Sequence, residues 1–230
     1  MHDNIGMVSK LVLRHARWSV LLLAAGFFCT VSSSFGQKTD VNVNLYGAFP
    51  SSASASPYQA GSPPLKQTAD PSAGFRIGAR HIFSPILGVE LNFGYNSATQ
   101  HFTGAPFQTG VVYSHAKPFT VDYVASAPFT FSGIRPFVLA GGGVISYNIS
   151  SYVARPPGSP GNIPARPHKI PTFEYGVGFD YHFSILPNFM SMRFQYRGLI
   201  AHAPDYKLPY LQTSNFTNIA EPQAGLVFKF

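Results

Sequence analysis

Charged residues are scarce in this chain of 230 residues: Asp, Glu, Lys and Arg together make up 11%, whereas an average soluble domain has roughly 25%. The chain contains a single cysteine, which excludes a fold held together by disulfides. The formal net charge is +7, but the basic residues form no run that could follow a phosphate backbone. A nucleic-acid partner is therefore not expected.

Aromatic residues and chain-breaking residues are abundant instead. The sequence holds 21 Phe, 12 Tyr and 1 Trp, together 15% of the chain, with 21 Gly and 20 Pro. A disordered chain would leave all these aromatic side chains in water, so the composition argues against disorder. It also argues against long helical bundles, because acidic residues are few.

The first 36 residues have the three parts of a secretory signal peptide. A basic stretch ends at Arg17, an apolar run covers 18–30, and small residues follow as far as Gly36. The apolar run is shorter than the roughly 20 residues of a transmembrane helix, which makes an uncleaved membrane anchor the less favoured alternative. We predict a cleaved signal peptide over 1–36 and one mature domain over 37–230.

Beyond the signal peptide, apolar residues recur at every second position. Successive side chains of a β-strand point to opposite faces, so this alternation predicts two-faced strands. Most of these segments approach the 9–11 residues with which a tilted strand crosses a bilayer. Eight segments show the pattern: 41–49, 73–82, 87–96, 119–126, 137–147, 173–183, 190–197 and 224–230.

The composition of the two strand faces predicts which face lies outside. One face carries Phe, Tyr, Leu and Val, and the other carries Gly, Asn, Ser, Thr and a few charges. A soluble sandwich or lipocalin-like barrel would cover its outer face with many charged residues, which this chain lacks. We therefore predict aromatic residues facing lipid and small or polar residues facing a lumen. In 137–147 this places Phe137 outside and Gly142 inside.

Most charged residues of the predicted strands share the polar face, with five acids and five bases. Asp40, Asp70 and Asp205 are assigned to strand ends or loops. Because an unpaired buried charge is costly, a narrow lumen must pair its charges. The predicted lumen ionic network consists of Arg76, Arg80, Glu90, Asp122, Glu174, Asp180, Arg193, Arg197, Glu221 and Lys229.

The short turns set a strand register that can be checked. A turn near Pro85 places Arg80 opposite Glu90, and the short turn after the sixth predicted strand places Asp180 opposite Arg193. Opposite charges stabilise such cross-strand pairs. Both hairpins are therefore predicted to carry an ion pair.

The connections between strands alternate between long and short. The longest cover 50–71 and 148–171, and short ones such as 83–86 lie between the long ones. Bacterial outer-membrane barrels have long external loops and short periplasmic turns. We predict that the second of these long connections, the proline-rich loop 148–171, is mobile. Its basic residues could contact anionic lipopolysaccharide: Arg155, Arg166, His168 and Lys169.

The last predicted strand reads AGLVFKF and ends in an aromatic residue. Its apolar positions resemble the assembly signal of Gram-negative outer-membrane proteins: Ala224, Leu226, Phe228 and Phe230. With the signal peptide and the eight strands, residues 38–230 resemble the OmpA-type eight-stranded barrels and their porin-family relatives. The resemblance implies a partner in the barrel-insertion machinery and a location in the bacterial outer membrane.

The resemblance also implies the fold and a role for part of the lumen. The expected fold is all-β: an eight-stranded antiparallel up-and-down transmembrane β-barrel after an N-terminal signal peptide. In that family an ionic network blocks the interior, which implies this role for Arg80, Glu90, Asp180 and Arg193. We expect a monomer that contacts outer-membrane lipids and lipopolysaccharide and uses no metal or cofactor.

Three functions from different classes are compatible with this expectation. The favoured one is a structural and surface-interaction barrel that is not an enzyme. The alternative is an OmpW-like barrel that transports small or apolar solutes, because lumen-side glycines leave space. The least favoured is a lipid A-modifying hydrolase, which would use His182 and Ser184 as a His-x-Ser pair. The next glutamate along the chain is Glu221.

Overall fold

The computed structural model describes residues 38–55, 64–104, 109–155, 168–183, 185, 187, 189–206, 213 and 215–230. The predicted signal peptide lies outside the described residues and stays a prediction. The strands of the described part are β1 (Lys38–Pro50), β2 (Ala53–Ser54), β3 (Lys66–Ala69), β4 (Ser72–Ile82), β5 (Leu87–Thr103), β6 (Thr109–Ser126), β7 (Ile134–Arg155), β8 (His168–Tyr181), β9 (Met190–His202) and β10 (Phe216–Lys229).

Eight of these strands close into an antiparallel barrel. The order around the wall is β1, β4, β5, β6, β7, β8, β9 and β10, and β10 pairs again with β1. The short β2–β3 hairpin lies against the far end of β5 through β3. The predicted fold class, an eight-stranded antiparallel barrel, is confirmed.

The two ends of the barrel differ. One end, which we call the turn end, holds the start of β1 and the end of β10. It also holds the described residues of the short connections 83–86, 127–133 and 182–189. The opposite ends of the strands, such as Thr103 of β5 and Thr109 of β6, form the other end, which we call the loop end. In the described part of the chain, no helix is long and apolar enough to cross a membrane.

The predicted hairpin registers are confirmed. Arg80 lies opposite Glu90 between β4 and β5, and Asp180 lies opposite Arg193 between β8 and β9. A one-residue slip would have turned every lipid-facing side chain into the lumen, so the alternation itself holds the register.

A band of apolar side chains surrounds the barrel. Leu45 and Tyr123 are both 71% exposed, and neighbouring strands contribute further large side chains. Water-soluble monomers rarely expose contiguous apolar patches of more than a few hundred Å², so this band marks the surface that faces lipid. Other members are Val43, Phe75, Ile77, Leu91, Phe93, Phe119, Val121, Phe173 and Val177.

Six strands, β5 to β10, extend several residues farther than predicted at the loop end. The predicted connection 97–110 is largely strand, because β5 continues to Thr103 and β6 already begins at Thr109. In this extension the polarity is inverted: Phe102 and Val112 are buried, whereas Tyr113 faces outward. The outer face of these extensions has no run of apolar residues, so the alternation predicts a loop there. The structure shows that they form the barrel wall beyond the lipid band.

The predicted orientation of β7 is wrong. Phe137 and Leu139 lie buried in the lumen, whereas Val138 between them is 55% exposed. Gly141 lies opposite the lumen residue Asp122, which places Gly142 on the outer side. Both faces of this segment are rich in apolar residues and glycine, so the alternation does not determine which face lies inside.

Candidate functional site in the barrel lumen

Buried arginine and acidic side chains from opposite walls meet in the middle of the lumen. Arg76 of β4 donates from Nη1 to Glu174 Oε1 of β8 and from Nη2 to Glu221 Oε2 of β10, each over 2.5 Å. In a ring of eight strands, β4 and β8 face each other across the full diameter. The Arg76–Glu174 contact therefore spans the lumen.

A second group of ion pairs lies nearer the turn end. Arg80 Nε donates to Glu90 Oε2 over 2.6 Å. Arg193 binds Asp180 with two parallel hydrogen bonds of 2.6 and 3.0 Å, the fork geometry in which arginine binds a carboxylate most strongly. Arg193 Nη1 also lies 3.1 Å from Glu90 Oε2 on β5, the strand directly opposite β9.

Arg197 of β9 joins the two groups. Its Nη1 atom donates to Glu174 Oε1 over 2.7 Å and to Asp122 Oδ2 over 3.0 Å, and its Nη2 atom donates to Glu90 Oε1. Glu90 thereby accepts from three arginines: Arg80, Arg193 and Arg197. The arginines and acids form one continuous network across the lumen.

The structure brings nine of the ten predicted network residues together. Lys229 is the exception: it is exposed at the turn-end rim and joins none of the ion pairs among the described residues. Lys229 lies two residues after the buried lumen residue Val227, so both side chains are on the lumen side of β10. Lys229 is nevertheless beyond the closed part of the lumen.

Asp40 is a member that the sequence analysis missed. It is 4% exposed, and its Oδ1 atom lies 3.7 Å from Arg193 Nη2. The strand begins three residues earlier than predicted, at Lys38, so an aspartate assigned to a strand end is inside the barrel. The network then holds four guanidinium groups and six carboxyl groups, two more acids than bases.

Neutral polar side chains donate further hydrogen bonds to two of the acids. Asn92 Nδ2 donates to Asp122 Oδ2 over 2.8 Å, and Gln223 Nε2 donates to Glu221 Oε2 over 3.1 Å. Gln195 Nε2 in turn donates to Gln223 Oε1 over 2.8 Å. These amides face the lumen at alternate positions of their strands, as the polar-face prediction requires.

Aromatic rings hold the arginines from the side. The guanidinium carbons of Arg80 and Arg193 lie 4.3 and 5.1 Å from the centre of the Phe137 ring. Arg76 lies 5.6 Å from the Tyr46 ring centre. Cation–π contacts of this kind are worth about 2 kcal/mol when water is excluded, which explains why an inward Phe137 suits this lumen.

Beyond the network, the lumen at the loop end is filled by apolar side chains. Tyr206, from the segment after β9, is 1% exposed and lies edge-on to Phe102 and Tyr147, with both ring centres 6.4 Å away. Its hydroxyl lies 3.3 Å from Ser114 Oγ. We call this layer, with Leu199 and the other buried apolar residues around it, the apolar cap.

Little empty space remains between the network and the apolar cap. The cavity there, bordered by Ala98, Gln100 and Glu221, has a volume of about 30 Å³. A water molecule needs at least about 10–15 Å³ measured in this way, so the cavity has room for on the order of two water molecules. At this level of the lumen, the described side chains therefore leave room for only a few water molecules.

The glycines of β7 allow strands and side chains to approach closely. A Cβ atom on Gly141 would lie 2.1 Å from Val121 O and 2.4 Å from Asp122 Oδ1. Its register partners are Asp122 on β6 and Glu174 on β8. The missing side chain at this position leaves room for the two acids.

Two residues of the alternative hydrolase, His182 and Glu221, lie in different parts of the barrel. His182 lies at the turn end, where its Nδ1 atom is 2.9 Å from Met190 O, and Ser184 lies outside the described residues. Glu221 is inside the network, bound by Arg76. Across the described residues, no group of three or more His, Cys, Asp and Glu side chains is arranged to hold a metal ion.

The four residues of the predicted assembly signal lie on the outer side of β10. Leu226 is 37% exposed and Phe230 is 74% exposed, and Ala224 is exposed on the same face. Phe228 is half-buried. The strand is paired on both sides, with β1 and β9, so it closes the barrel.

The chain is similar in fold to Neisserial surface protein A, and two further outer-membrane barrels give lower TM-scores. Neisserial surface protein A superposes with a TM-score of 0.52 at 13% identity, covering 85% of this chain and 100% of that one. Ail of Yersinia pestis, the attachment invasion locus protein, gives 0.47 at 12% identity, with 85% and 100% covered. The outer membrane enzyme PagL gives 0.32 at 13% identity, with 80% and 98% covered.

Neither a family model nor a curated protein sequence matches the chain. The fold assignment therefore depends on the closed barrel, its outward apolar band and the likeness to Neisserial surface protein A. Together they define a transmembrane β-barrel with the eight-stranded fold of bacterial outer-membrane proteins. The predicted class and the predicted outer-membrane location are confirmed at this level.

Proposed function

We propose that the protein is a closed outer-membrane barrel with a structural and surface-interaction role, and that it does not conduct solutes. The observation that carries this proposal is the set of contacts between diametrically opposite strands. Arg76 with Glu174, and Glu90 with both Arg193 and Arg197, join opposite walls directly. An eight-stranded barrel is just wide enough for its side chains to fill.

The apolar cap supports the same function from the other side of the network. A solute that entered at the loop end would have to displace Tyr206 and its neighbours before it reached the arginines. Each exposed apolar side chain costs about 1.5–3 kcal/mol, and separation of the buried charges would cost more. The OmpW-like transport alternative requires both layers to open.

Liposome swelling tests the proposal against the transport alternative. The mature barrel is reconstituted into liposomes, which are diluted into isosmotic solutions of a small sugar, an amino acid or a short alkyl alcohol. We expect swelling rates equal to those of protein-free liposomes. Swelling that rises in proportion to the amount of folded barrel would overturn the closed barrel and favour transport.

The proposal also makes the protein a non-enzyme. This part is supported by the distance in the fold between His182, at the turn end, and Glu221, which is bound by Arg76. Mass spectrometry of lipid A, incubated with the wild type or with His182→Ala, tests it. We expect unmodified lipid A in both samples, and a product formed by the wild type alone would overturn the expectation.

A further inference from the structure

The barrel wall has a gap between β8 and β9 at the loop end. The two strands pair from Tyr181↔Met192 as far as Thr172↔Ala201. The first four residues of β8, 168–171, pair in the described structure with β7 alone. Pro171 has no N–H to donate, and Pro204 follows β9, so the ladder cannot continue in this direction.

A groove of about 350 Å³ occupies this gap. That volume lies within the range of roughly 300–1,000 Å³ that small-molecule sites have. The polar part of its lining consists of His168, Lys169, His202, Asp205 and Thr213. Ile170 and Ala203, both buried, form its apolar inner side.

The groove lies at the edge of the lipid-facing band. Phe173, two residues along β8 from Pro171, is 51% exposed on the outer face. Phe216 of β10 is 64% exposed, and its ring stacks on His202 with 4.0 Å between the ring centres. Two residues along a strand correspond to about 6.8 Å, so the groove lies directly beside the loop-end edge of the apolar band.

The polar groups of the groove suit a phosphate. Lys169 is exposed and carries a positive charge, and the two imidazoles can donate N–H groups to phosphate oxygens. The Nδ1 atom of His168 is buried without a hydrogen-bond partner among the described residues. Asp205 is the acidic residue of the lining, and it is already engaged in another contact.

We propose that this groove binds the phosphate headgroup of a membrane lipid. The headgroup lies against Lys169, His168 and His202, and the acyl chains lie against the exposed rings of Phe173 and Phe216. The apolar band places lipid chains directly beside Lys169 and the two histidines of the groove. The inference goes beyond the closed-barrel function and does not depend on whether the lumen conducts.

Native mass spectrometry of the mature barrel in detergent micelles tests the proposal. The probes are phosphatidylglycerol and a diacylglycerol with the same acyl chains, which lacks the phosphate. The wild type should retain one phosphatidylglycerol at low lipid concentration and should retain diacylglycerol at least about tenfold more weakly. The double variant Lys169→Gln/His202→Gln should lose this preference.

Lys117→Gln is the matched control, because it removes one lysine from the outer face of β6 near the Tyr95 ring, away from the groove. It should bind phosphatidylglycerol like the wild type. Equal retention of both lipids, or equal loss in the control and the groove variant, would overturn the proposal. Displacement of the lipid by inorganic phosphate at similar concentrations would also overturn it, since a free-phosphate site would then explain the binding.

Retained heat-modifiable migration in gels shows that the variants are folded. If Lys169→Gln/His202→Gln does not fold, the single variant Lys169→Gln provides the same comparison with Lys117→Gln. A single lysine at a phosphate contact should still lower retention severalfold relative to that control, and an unchanged retention would contradict the groove.

Discussion

Arg197 shows how unevenly the lumen charges share their partners. Its guanidinium contacts Glu90, Asp122 and Glu174, which come from three different strands. Asp40, by contrast, has one arginine within 4 Å, at 3.7 Å. Loss of Arg197 leaves Asp122 without an arginine partner among the described residues and removes one partner each from Glu90 and Glu174. Because acids outnumber arginines in the network, loss of one acid instead reduces the excess.

Arg197→Met should therefore destabilise the barrel strongly, while Asp40→Asn should have little effect. Removal of one partner of a buried ion pair typically costs about 3–5 kcal/mol. We expect a loss in this range for Arg197→Met and less than about 1 kcal/mol for Asp40→Asn. Urea unfolding in lipid vesicles, followed by circular dichroism, measures both. Similar losses in the two variants would contradict the assigned charge balance.

Gly141 and Gly142 are neighbours that the structure places in different surroundings. A Cβ on Gly141 would lie 2.1 Å from Val121 O, but the nearest contact of a Cβ on Gly142 would be Thr172 O at 3.2 Å. Gly141→Ala should therefore cost several kcal/mol or prevent folding, and Gly142→Ala should cost about 1 kcal/mol or less. Refolding yield into detergent micelles distinguishes them, and the reverse order would contradict the orientation of β7.

The strands differ in how well their sequences predict them. Alternation located all eight barrel strands, and it oriented seven of them correctly, because lipid outside and polar groups inside select one face. In β7 both faces are apolar, and the choice depends on Phe137 packing on two arginines that come from β4 and β9. Such contacts between distant segments leave no local signal, and the same holds for Asp40.

The segment after β9 contributes the buried Tyr206 to the apolar cap. Burial raises the pKa of the Tyr206 hydroxyl above its ordinary value near 10. Its hydrogen bond with Ser114 lowers the pKa in part. The folded barrel therefore keeps this proton at a pH at which the unfolded chain releases it, and stability decreases as the pH rises above about 10.

Substitution of Tyr206 separates the packing of its ring from the titration of its hydroxyl. Tyr206→Ala should cost about 3–5 kcal/mol, because a large ring is lost from a packed layer. Tyr206→Phe should cost about 1 kcal/mol at neutral pH, and its stability should decrease less between pH 9 and pH 11 than that of the wild type. An identical pH dependence for the two proteins would contradict the buried position of the hydroxyl.

The scarcity of charge has a structural explanation once the barrel is assembled. The apolar band occupies much of the outer surface, and most carboxylates of the described residues are paired with arginine inside. The lumen is closed in layers, with the ionic network in the middle and the apolar cap toward the loop end. The alternation of the sequence predicts the barrel and most of the network, but not the cap. Phe102, Leu199 and Tyr206 lie outside the predicted strands, and Tyr147 lies on the strand whose predicted orientation is wrong.

Electrical recording from a single mature barrel in a planar lipid bilayer tests the closed lumen most directly. At neutral pH and in symmetric salt, we expect no steady conductance above that of the bare bilayer, because four ion pairs join opposite walls. A stable, reproducible open level from protein shown to be folded would contradict the closed barrel.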